Sequence, residues 1–266
     1  MNMWGIVPAA GVGSRIQPLA FSKELLPVGS CLDGDMERPR AASEYLLDRM
    51  LLSGVTKICF VVSSGKWDIL RYFGSAFGPA MLCYVVQPAP AGLCDAIFQA
   101  LPLIPPEEFV TVGLPDTIWF PDDALRRLGD HDLSFLLFPV DRPELFDSVS
   151  TGSDGQVTKI QTKQPHPDSK WIWGAFKMRG SVLRSLFELW RSPEGGDEYI
   201  GPLVNKYLDR GGRAVGVPAG ELYVDVGTVG GYRRAVAMLA VGGSHGPTGA
   251  TRPVAGHISS TRKTPQ

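Results

Sequence analysis

The sequence predicts an α/β protein in which a mainly parallel sheet is covered by helices on both faces. Short, nearly continuous apolar runs alternate with helical segments through the first 140 residues, which is typical of buried parallel strands and their crossover helices. A turn of small residues follows the first apolar run directly, as it often does where a ligand meets the end of a strand. The chain has 266 residues and is 44% hydrophobic, which is enough to bury a sizeable core.

The first half of the chain alternates between the two kinds of element. Five runs rich in β-branched and apolar residues are predicted as strands: Trp4–Pro8, Lys57–Val62, Met81–Val86, Phe109–Leu114 and Leu133–Phe138. Three helices are predicted between them: Ala41–Ser53, Trp67–Phe73 and Leu93–Leu101. Gly54 ends the first of these helices.

After Pro139 the spacing of the elements changes. Residues 148–162 predict a hairpin that turns at Asp154 and Gly155. Three further strands and three helices follow: Trp171–Met178, Arg213–Val217, Leu222–Val226, Val182–Trp190, Pro202–Asp209 and a helix over about 230–240. From Gly242 the composition shifts to Gly, Pro, Ser and Thr, so we expect one domain over residues 1–241 and a disordered tail over 242–266.

Charge and cysteine usage exclude several classes of function. The net charge of −1 provides no general basic field, so we expect no nucleic-acid partner. The four cysteines show no pairing or metal-ligand spacing and are interpreted as thiols in a reducing compartment. No signal peptide or membrane span is recognisable, so the expectation is a cytoplasmic protein without a membrane partner.

The strongest functional signal is the segment GIVPAAGVGSRIQPLAFSKELLPVG at residues 5–29. Gly11 and Gly13 let backbone N–H groups approach a ligand closely, and Arg15 and Lys23 add two positive charges nearby. Backbone donors beside paired cations suit a polyphosphate. A dinucleotide-binding turn is disfavoured, because Ile16 occupies the position of its third small residue. A Walker loop is excluded, since no Gly-Lys-Ser/Thr is present.

These residues resemble the signature of the sugar-1-phosphate nucleotidyltransferases. The matching positions, in order and spacing, are Gly11-Val12-Gly13-Ser14-Arg15, Pro18 and Lys23-Glu24-Leu25-Leu26-Pro27. Further matches are Gln87-Pro88-x-Pro90-x-Gly92-Leu93-x-x-Ala96, Leu114-Pro115-Asp116, Lys163 and Val224-Asp225-x-Gly227-Thr228. The resemblance therefore extends over about residues 4–240.

The resemblance implies a fold and a reaction. The fold would be the Rossmann-like, three-layer nucleotide-diphospho-sugar transferase fold, with a mostly parallel central sheet and a small β insertion on the acceptor side. The reaction would join a nucleoside triphosphate to a sugar-1-phosphate with Mg²⁺ and release pyrophosphate. Many members of the family self-associate, so the partners expected are these two substrates and a second copy of the chain.

The resemblance also assigns roles to charged residues. Arg15 would stabilise the α-phosphate and the departing pyrophosphate, and Lys23 would hold phosphate oxygens from the other side. Asp116 and Asp225 each end a predicted strand and would share one hydrated Mg²⁺. Lys163 would bind the phosphate of the sugar-1-phosphate.

Three positions are expected to hold the base. Gln87 presents both a donor and an acceptor, which suits the imide edge of uracil or thymine. The backbone around Gly92 would complete that contact, and Ala10 stands under the base where the family often has glycine. A pyrimidine triphosphate, dTTP or UTP, is therefore favoured, and the choice between the two stays open.

The acceptor half departs from the family pattern. Thr162 occupies the position of a family glutamate that contacts a sugar hydroxyl, whereas Gly174 matches a small residue of the sugar pocket. Trp173 either stacks on the sugar or fills the core. Residues 30–37 are interpreted as an inserted loop at the rim of the site.

Three hypotheses follow from this comparison. The first acceptor to consider is glucose-1-phosphate. The second hypothesis keeps the transfer but uses an unusual acceptor phosphate, such as that of an amino sugar, a cyclitol or phosphocholine. The third is a non-catalytic subunit that binds a nucleotide sugar.

Overall fold

The elements of the fold are taken from a computed structural model that describes residues 3–193 and 195–241. The strands, labelled β1–β14 in order, are Met3–Pro8, Pro27–Asp33, Met36–Ala41, Lys57–Ser63, Ala76–Phe77, Ala80–Gln87, Phe109–Gly113, Thr117–Phe120, Leu133–Pro139, Asp147–Thr151, Val157–Thr162, Trp171–Arg179, Val215–Val217 and Leu222–Asp225. The helices, labelled α1–α6, are Ala42–Leu52, Trp67–Phe73, Gly92–Gln99, Gly180–Trp190, Ile200–Asp209 and Val229–Val241. The predicted tail at 242–266 lies outside the described residues.

Four parallel strands form the centre of the main sheet, in the order β6, β4, β1 and β7. Successive residues of each strand point to opposite faces, so Ile6 packs on the side of α3, α4 and α5 while Val7 packs on the side of α1 and α2. Both side chains are fully buried. The predicted three-layer α/β fold, with helices on both faces of the sheet, is therefore confirmed.

The sheet continues into an antiparallel region that the apolar pattern did not distinguish. Strand β12 runs antiparallel to β7 on one edge and to β9 on the other. The β10–β11 hairpin joins the edge of β12 through Ser148 and Ile172, and β13 pairs in parallel with β9. The hairpin predicted over residues 148–162 is present, and it forms the small β insertion at the end of the sheet.

Two small sheets lie outside the main one. Residues 27–41 form the β2–β3 hairpin, which packs against α6, so the expected inserted loop over residues 30–37 is wrong. The rim expectation fails as well, because no residue of this hairpin lines the cavity that contains Arg15, Lys23 and Asp116. Strand β8 begins directly after Asp116 and pairs in antiparallel fashion with β14. None of the described helices is long and apolar enough to cross a membrane.

Candidate active site

The glycine-rich turn begins where β1 ends. Ala9 and Ala10 are buried against the sheet, and Gly13 follows with a φ of +71°. A Cβ atom on Gly13 would lie 2.6 Å from Cδ of Lys23. Glycine is required here for two reasons, because the backbone is in the left-handed region and the aliphatic part of Lys23 passes directly over the turn.

Lys23 forms an ion pair with Asp116, which follows β7. The two side chains are only 13% and 10% exposed. Burial alone would lower the pKa of Lys23 and raise that of Asp116. Their mutual attraction outweighs burial, so the pKa of Lys23 is raised and the pKa of Asp116 is lowered. Both groups are therefore charged at neutral pH.

A second ion pair lies beside the first. Nη1 of Arg15 is 3.0 Å from Oδ2 of Asp225, the last residue of β14. Burial and the nearby charge of Asp116 raise the pKa of Asp225, while Arg15 opposes them. Arg15 itself is 61% exposed and lines the cavity at this point, which leaves it able to contact a ligand.

Gly227 marks the point at which the two ion pairs meet. A Cβ atom on this glycine would lie 2.7 Å from Oδ2 of Asp116, 2.9 Å from Oδ1 of Asp225 and 3.4 Å from Nη2 of Arg15. The β8–β14 pairing explains the approach, because Asp225 stands opposite Thr117 and the N–H of Val226 donates to the Asp116 carbonyl oxygen at 2.9 Å. Two carboxylates and two cations, distant in sequence, thus surround one small space.

Asp116 and Asp225 are the carboxylates of this space that could hold a metal ion. Among the described residues, no group of three or more His, Cys, Asp or Glu could hold a metal ion. Mg²⁺ commonly takes one or two carboxylates and fills its remaining positions with water and substrate phosphates. Asp116 and Asp225 fit that pattern, since both approach the same point.

Gln87 and Gly92, which were predicted to bind the base, lie at the end of β6 and the start of α3. Nε2 of Gln87 donates to Oδ2 of Asp95 at 2.6 Å and to the carbonyl oxygen of Gly92 at 3.3 Å. The Gln87 side chain is buried, and both of its amide hydrogens are engaged, so its Oε1 is the atom that remains to accept a hydrogen bond. Gly92 lies against Glu198, where a Cβ atom would approach Cγ to 2.4 Å.

Lys163 and Trp173 lie at the opposite end of the site. Lys163 follows β11 with a φ of +46°, a conformation uncommon for residues other than glycine. Its Nζ donates to the hydroxyl of Tyr199 at 3.2 Å. Trp173 belongs to the hydrophobic core and also lines the cavity, and its Nε1 donates to Oδ2 of Asp147 at 3.3 Å. Both alternatives considered for Trp173 are therefore compatible with its position.

One cavity of about 340 Å³ joins the three regions. Its wall includes ten of the predicted site residues: Ala10, Gly11, Arg15, Lys23, Gln87, Gly92, Asp116, Lys163, Trp173 and Asp225. Gly13 does not line the cavity, but the aliphatic part of Lys23 packs directly over it. The residues predicted to bind the triphosphate, the base and the acceptor thus line one continuous cavity.

Two predicted sugar-binding residues do not line this cavity. Gly174 is pressed against Phe138 and Tyr223, where a Cβ atom would approach the two rings to 2.5 and 2.9 Å. Thr162 points its Oγ1 towards Gly201 at the start of α5, 2.6 Å from a Cβ position. The close packing of these two rings explains why residue 174 is a glycine. A contact of Gly174 or Thr162 with a sugar stays a prediction.

Sequence reasoning missed a buried ion pair that supports the glycine-rich turn. Nζ of Lys66, from the loop after β4, lies 2.7 Å from Oε1 of Glu24 and donates to the Ala9 carbonyl oxygen at 2.6 Å. Glu24 is fully buried. Lys66 thereby connects the start of the turn to the segment that holds Lys23. The only signal in the sequence was an acidic residue inside the apolar KELLP segment.

Several known proteins resemble this chain in sequence. The family model described as nucleotidyl transferase matches residues 4–241. A glucose-1-phosphate thymidylyltransferase of Streptomyces griseus is 25% identical over 174 residues, which are 63% of this chain and 46% of that protein. A UTP–glucose-1-phosphate uridylyltransferase of Streptococcus pyogenes is 28% identical over 207 residues, 69% of this chain and 60% of that protein. The match spans only about half to three fifths of these relatives.

Solved structures show the same fold. A Bacillus anthracis protein assigned as a glucose-1-phosphate thymidylyltransferase, crystallised with sucrose, superposes with a TM-score of 0.75 and 25% identity and covers 90% of this chain and 95% of its own. A UTP-bound UGPase of Acinetobacter baumannii gives a TM-score of 0.73 at 20% identity, with coverage of 91% and 94%.

Proposed function

Since this chain belongs to the nucleotidyl transferase family, we propose that it transfers a nucleotidyl group from dTTP or UTP to a sugar-1-phosphate and releases pyrophosphate. The acceptor proposed first is glucose-1-phosphate. The observation that supports the reaction is the meeting of Arg15, Lys23, Asp116 and Asp225 at one point of the cavity. Nucleotidyl transfer requires alignment of an attacking phosphate oxygen with the α-phosphorus and compensation of the negative charge there.

The two cations would act on different parts of the triphosphate. Lys23 is held by the turn and by Asp116, so its ammonium has little freedom and suits a fixed phosphate contact. Arg15 is exposed and has a planar guanidinium, which can bind two phosphate oxygens at once. Arg15 is therefore the residue proposed to stabilise charge on the α-phosphate and on the leaving pyrophosphate.

Asp116 and Asp225 are the residues proposed to hold Mg²⁺. The ion, when bound, would supply positive charge to the phosphate oxygens and bring them into line. The ion pairs of these carboxylates with Lys23 and Arg15 keep both of them oriented towards the space beside Gly227. Loss of activity in EDTA and its recovery with added Mg²⁺ would test this assignment.

The base and the acceptor would occupy opposite ends of the cavity. Oε1 of Gln87 can accept the imide N–H of uracil or thymine, because the amide hydrogens of Gln87 are already directed to Asp95 and Gly92. Lys163 lies at the far end, where it would bind the acceptor phosphate and present its oxygen to the α-phosphorus.

A substrate panel tests the proposal. Purified protein is mixed with Mg²⁺, one of dTTP, UTP, CTP, GTP or ATP, and one of several acceptors, and released pyrophosphate is measured with a coupled pyrophosphatase. The acceptors are glucose-, galactose-, mannose- and glucosamine-1-phosphate, a cyclitol phosphate and phosphocholine. Release with dTTP or UTP and a hexose-1-phosphate is expected. No release with any pair would refute the proposal, and nucleotide binding by calorimetry without turnover would favour the non-catalytic subunit instead.

A further inference from the structure

The β10–β11 hairpin brings a second carboxylate to the position where the acceptor site departs from the family pattern. Asp147 is the first residue of β10, and its partner in register across the hairpin is Thr162, the last residue of β11. Directly opposed residues of an antiparallel pair project to the same face, with Cβ atoms about 4.5–5.5 Å apart. A carboxylate at 147 therefore reaches the space that a longer acidic side chain at 162 would reach.

Unlike Thr162, Asp147 lines the cavity at its acceptor end, together with Lys163 and Trp173. Its Oδ2 accepts a hydrogen bond of 3.3 Å from Nε1 of Trp173, a core residue whose ring also contacts Phe176 edge-on. The carboxylate is thus held by a rigid neighbour rather than by a mobile one. This is a suitable arrangement for a group that selects a ligand.

The hydrogen-bonding capacity of Asp147 is largely unused. An ionised carboxylate offers about four acceptor positions, and among the described residues no cation lies within ion-pair distance of this one. Burial raises the pKa of Asp147, and the hydrogen bond from Trp173, the charge of Lys163 and the nearby Thr162 hydroxyl only partly oppose that effect. The Thr162 hydroxyl does not reach hydrogen-bond geometry with any described residue. A donor supplied by the ligand would satisfy this carboxylate.

We propose that Asp147 is a specificity-determining residue whose carboxylate accepts a hydrogen bond from a hydroxyl or ammonium group of the acceptor phosphate. It would replace, from the neighbouring strand, the glutamate that the resemblance led us to expect at position 162. The inference rests on the proposed nucleotidyl transfer and concerns only its acceptor half. Binding of the nucleoside triphosphate depends on residues at the other end of the cavity.

The test uses Asp147→Ala and Asp147→Asn with the acceptor that gives the highest turnover. We expect Asp147→Ala to lower kcat/KM for the acceptor by roughly 10- to 100-fold, the effect of losing one charged hydrogen bond. The affinity for the triphosphate should stay within about twofold of wild type. Asp141→Asn is the matched control, because this exposed aspartate lies in the preceding loop and does not line the cavity.

The asparagine variant distinguishes the two donors. Asparagine keeps an acceptor oxygen but loses the charge. If the acceptor donates from a hydroxyl, kcat/KM for the acceptor should fall by less than about 10-fold. If it donates from an ammonium group, kcat/KM should fall as much as in Asp147→Ala. Asparagine also keeps a partner for Trp173, so thermal unfolding of this variant shows whether the hairpin is intact. Deoxy analogues of the acceptor then identify the group: removing the contacted hydroxyl should impair the wild type and leave Asp147→Ala unaffected.

The outcomes separate the inference from the function on which it rests. Pyrophosphate release by the wild type with an unchanged acceptor kcat/KM in Asp147→Ala would refute the role of Asp147 alone. If Asp147→Ala weakens triphosphate binding as much as it lowers kcat/KM for the acceptor, Asp147 has a structural role, and its proposed role in specificity is refuted as well. If the wild type releases no pyrophosphate with any pair, the proposed function itself fails.

Discussion

Arg15→Ala should separate catalysis from stability. The Arg15 side chain is 61% exposed, and the contact the structure gives it is the 3.0 Å ion pair with Asp225. An exposed ion pair contributes at most about 1 kcal/mol, so Tm should change by less than about 4 °C in a chain of this size. Loss of one preorganised donor to a developing negative charge costs about 10²- to 10³-fold in kcat. We therefore expect turnover to fall at least about 100-fold in a protein of nearly unchanged stability.

The assay measures pyrophosphate release at saturating triphosphate and acceptor, together with thermal unfolding of the same preparations. Arg142→Ala is the matched control, since Arg142 is also exposed, at 69%, and forms a 2.9 Å ion pair with Glu144. That variant should retain wild-type turnover. A rate for Arg15→Ala within about threefold of wild type would remove Arg15 from the mechanism. A large fall in Tm would show that its role is structural, contrary to its exposure.

Three further predictions concern the rest of the site. Lys66→Met leaves the fully buried Glu24 without its partner, so we expect a loss of about 3–5 kcal/mol in urea unfolding, and the double variant with Glu24→Gln should recover part of it. Asp225→Asn should raise Tm at pH 7–8 whereas Asp116→Asn should lower it, and scanning calorimetry from pH 3 to 8 would detect this opposition. Gln87→Met removes the free acceptor oxygen and should raise KM for dTTP or UTP by about 10-fold or more, as initial rates at varied triphosphate would show.

The opposite signs for Asp116 and Asp225 follow from their opposite pKa shifts. Burial raises the pKa of Asp225, so its charged form destabilises the folded state once the pH rises through that pKa. The gain from Asp225→Asn should disappear as the pH falls below the ordinary aspartate range. Lys23 lowers the pKa of Asp116, so the ionised Asp116 stabilises the folded state at pH values above the ordinary aspartate pKa. This stabilisation is lost on acidification. Identical signs for both variants at neutral pH would contradict this account.

The sequence was sufficient to predict the buried strands and most helices, but not the polar strands or the antiparallel pairing. For five elements both predicted ends lie within two residues of the observed ends: β1, β4, β7, α1 and α2. Each of them is a buried apolar run or an amphipathic helix with a clear end in the sequence. The β2–β3 hairpin was missed because its strands are polar and mostly exposed, so they lack an apolar alternation. Strand β8 was missed because Pro115 and Asp116 mark the end of the preceding strand.

The two halves of the site differ in how the sequence encodes them. Arg15 and Lys23 lie within one short segment, and Gly13 fixes their relation locally, so a spacing pattern is enough to predict them. Asp147 has no local signal of any kind. Its place at the cavity depends on pairing with Thr162 in the hairpin and on the hydrogen bond from Trp173, and neither is visible in a linear sequence.

This difference bears on how acceptor choice can change. The residues proposed to bind the triphosphate follow the parallel strands or lie next to the paired strands β8 and β14, whereas Asp147 and Trp173 lie in the antiparallel strands β10 and β12 and Lys163 directly follows β11. Substitutions in the β10–β11 hairpin would therefore alter the hydrogen-bonding groups at the proposed acceptor end of the cavity without moving Gly13, Lys23 or Asp116. The proposed use of a carboxylate at position 147 instead of position 162 would be such a change, because the two positions face each other in register across the hairpin.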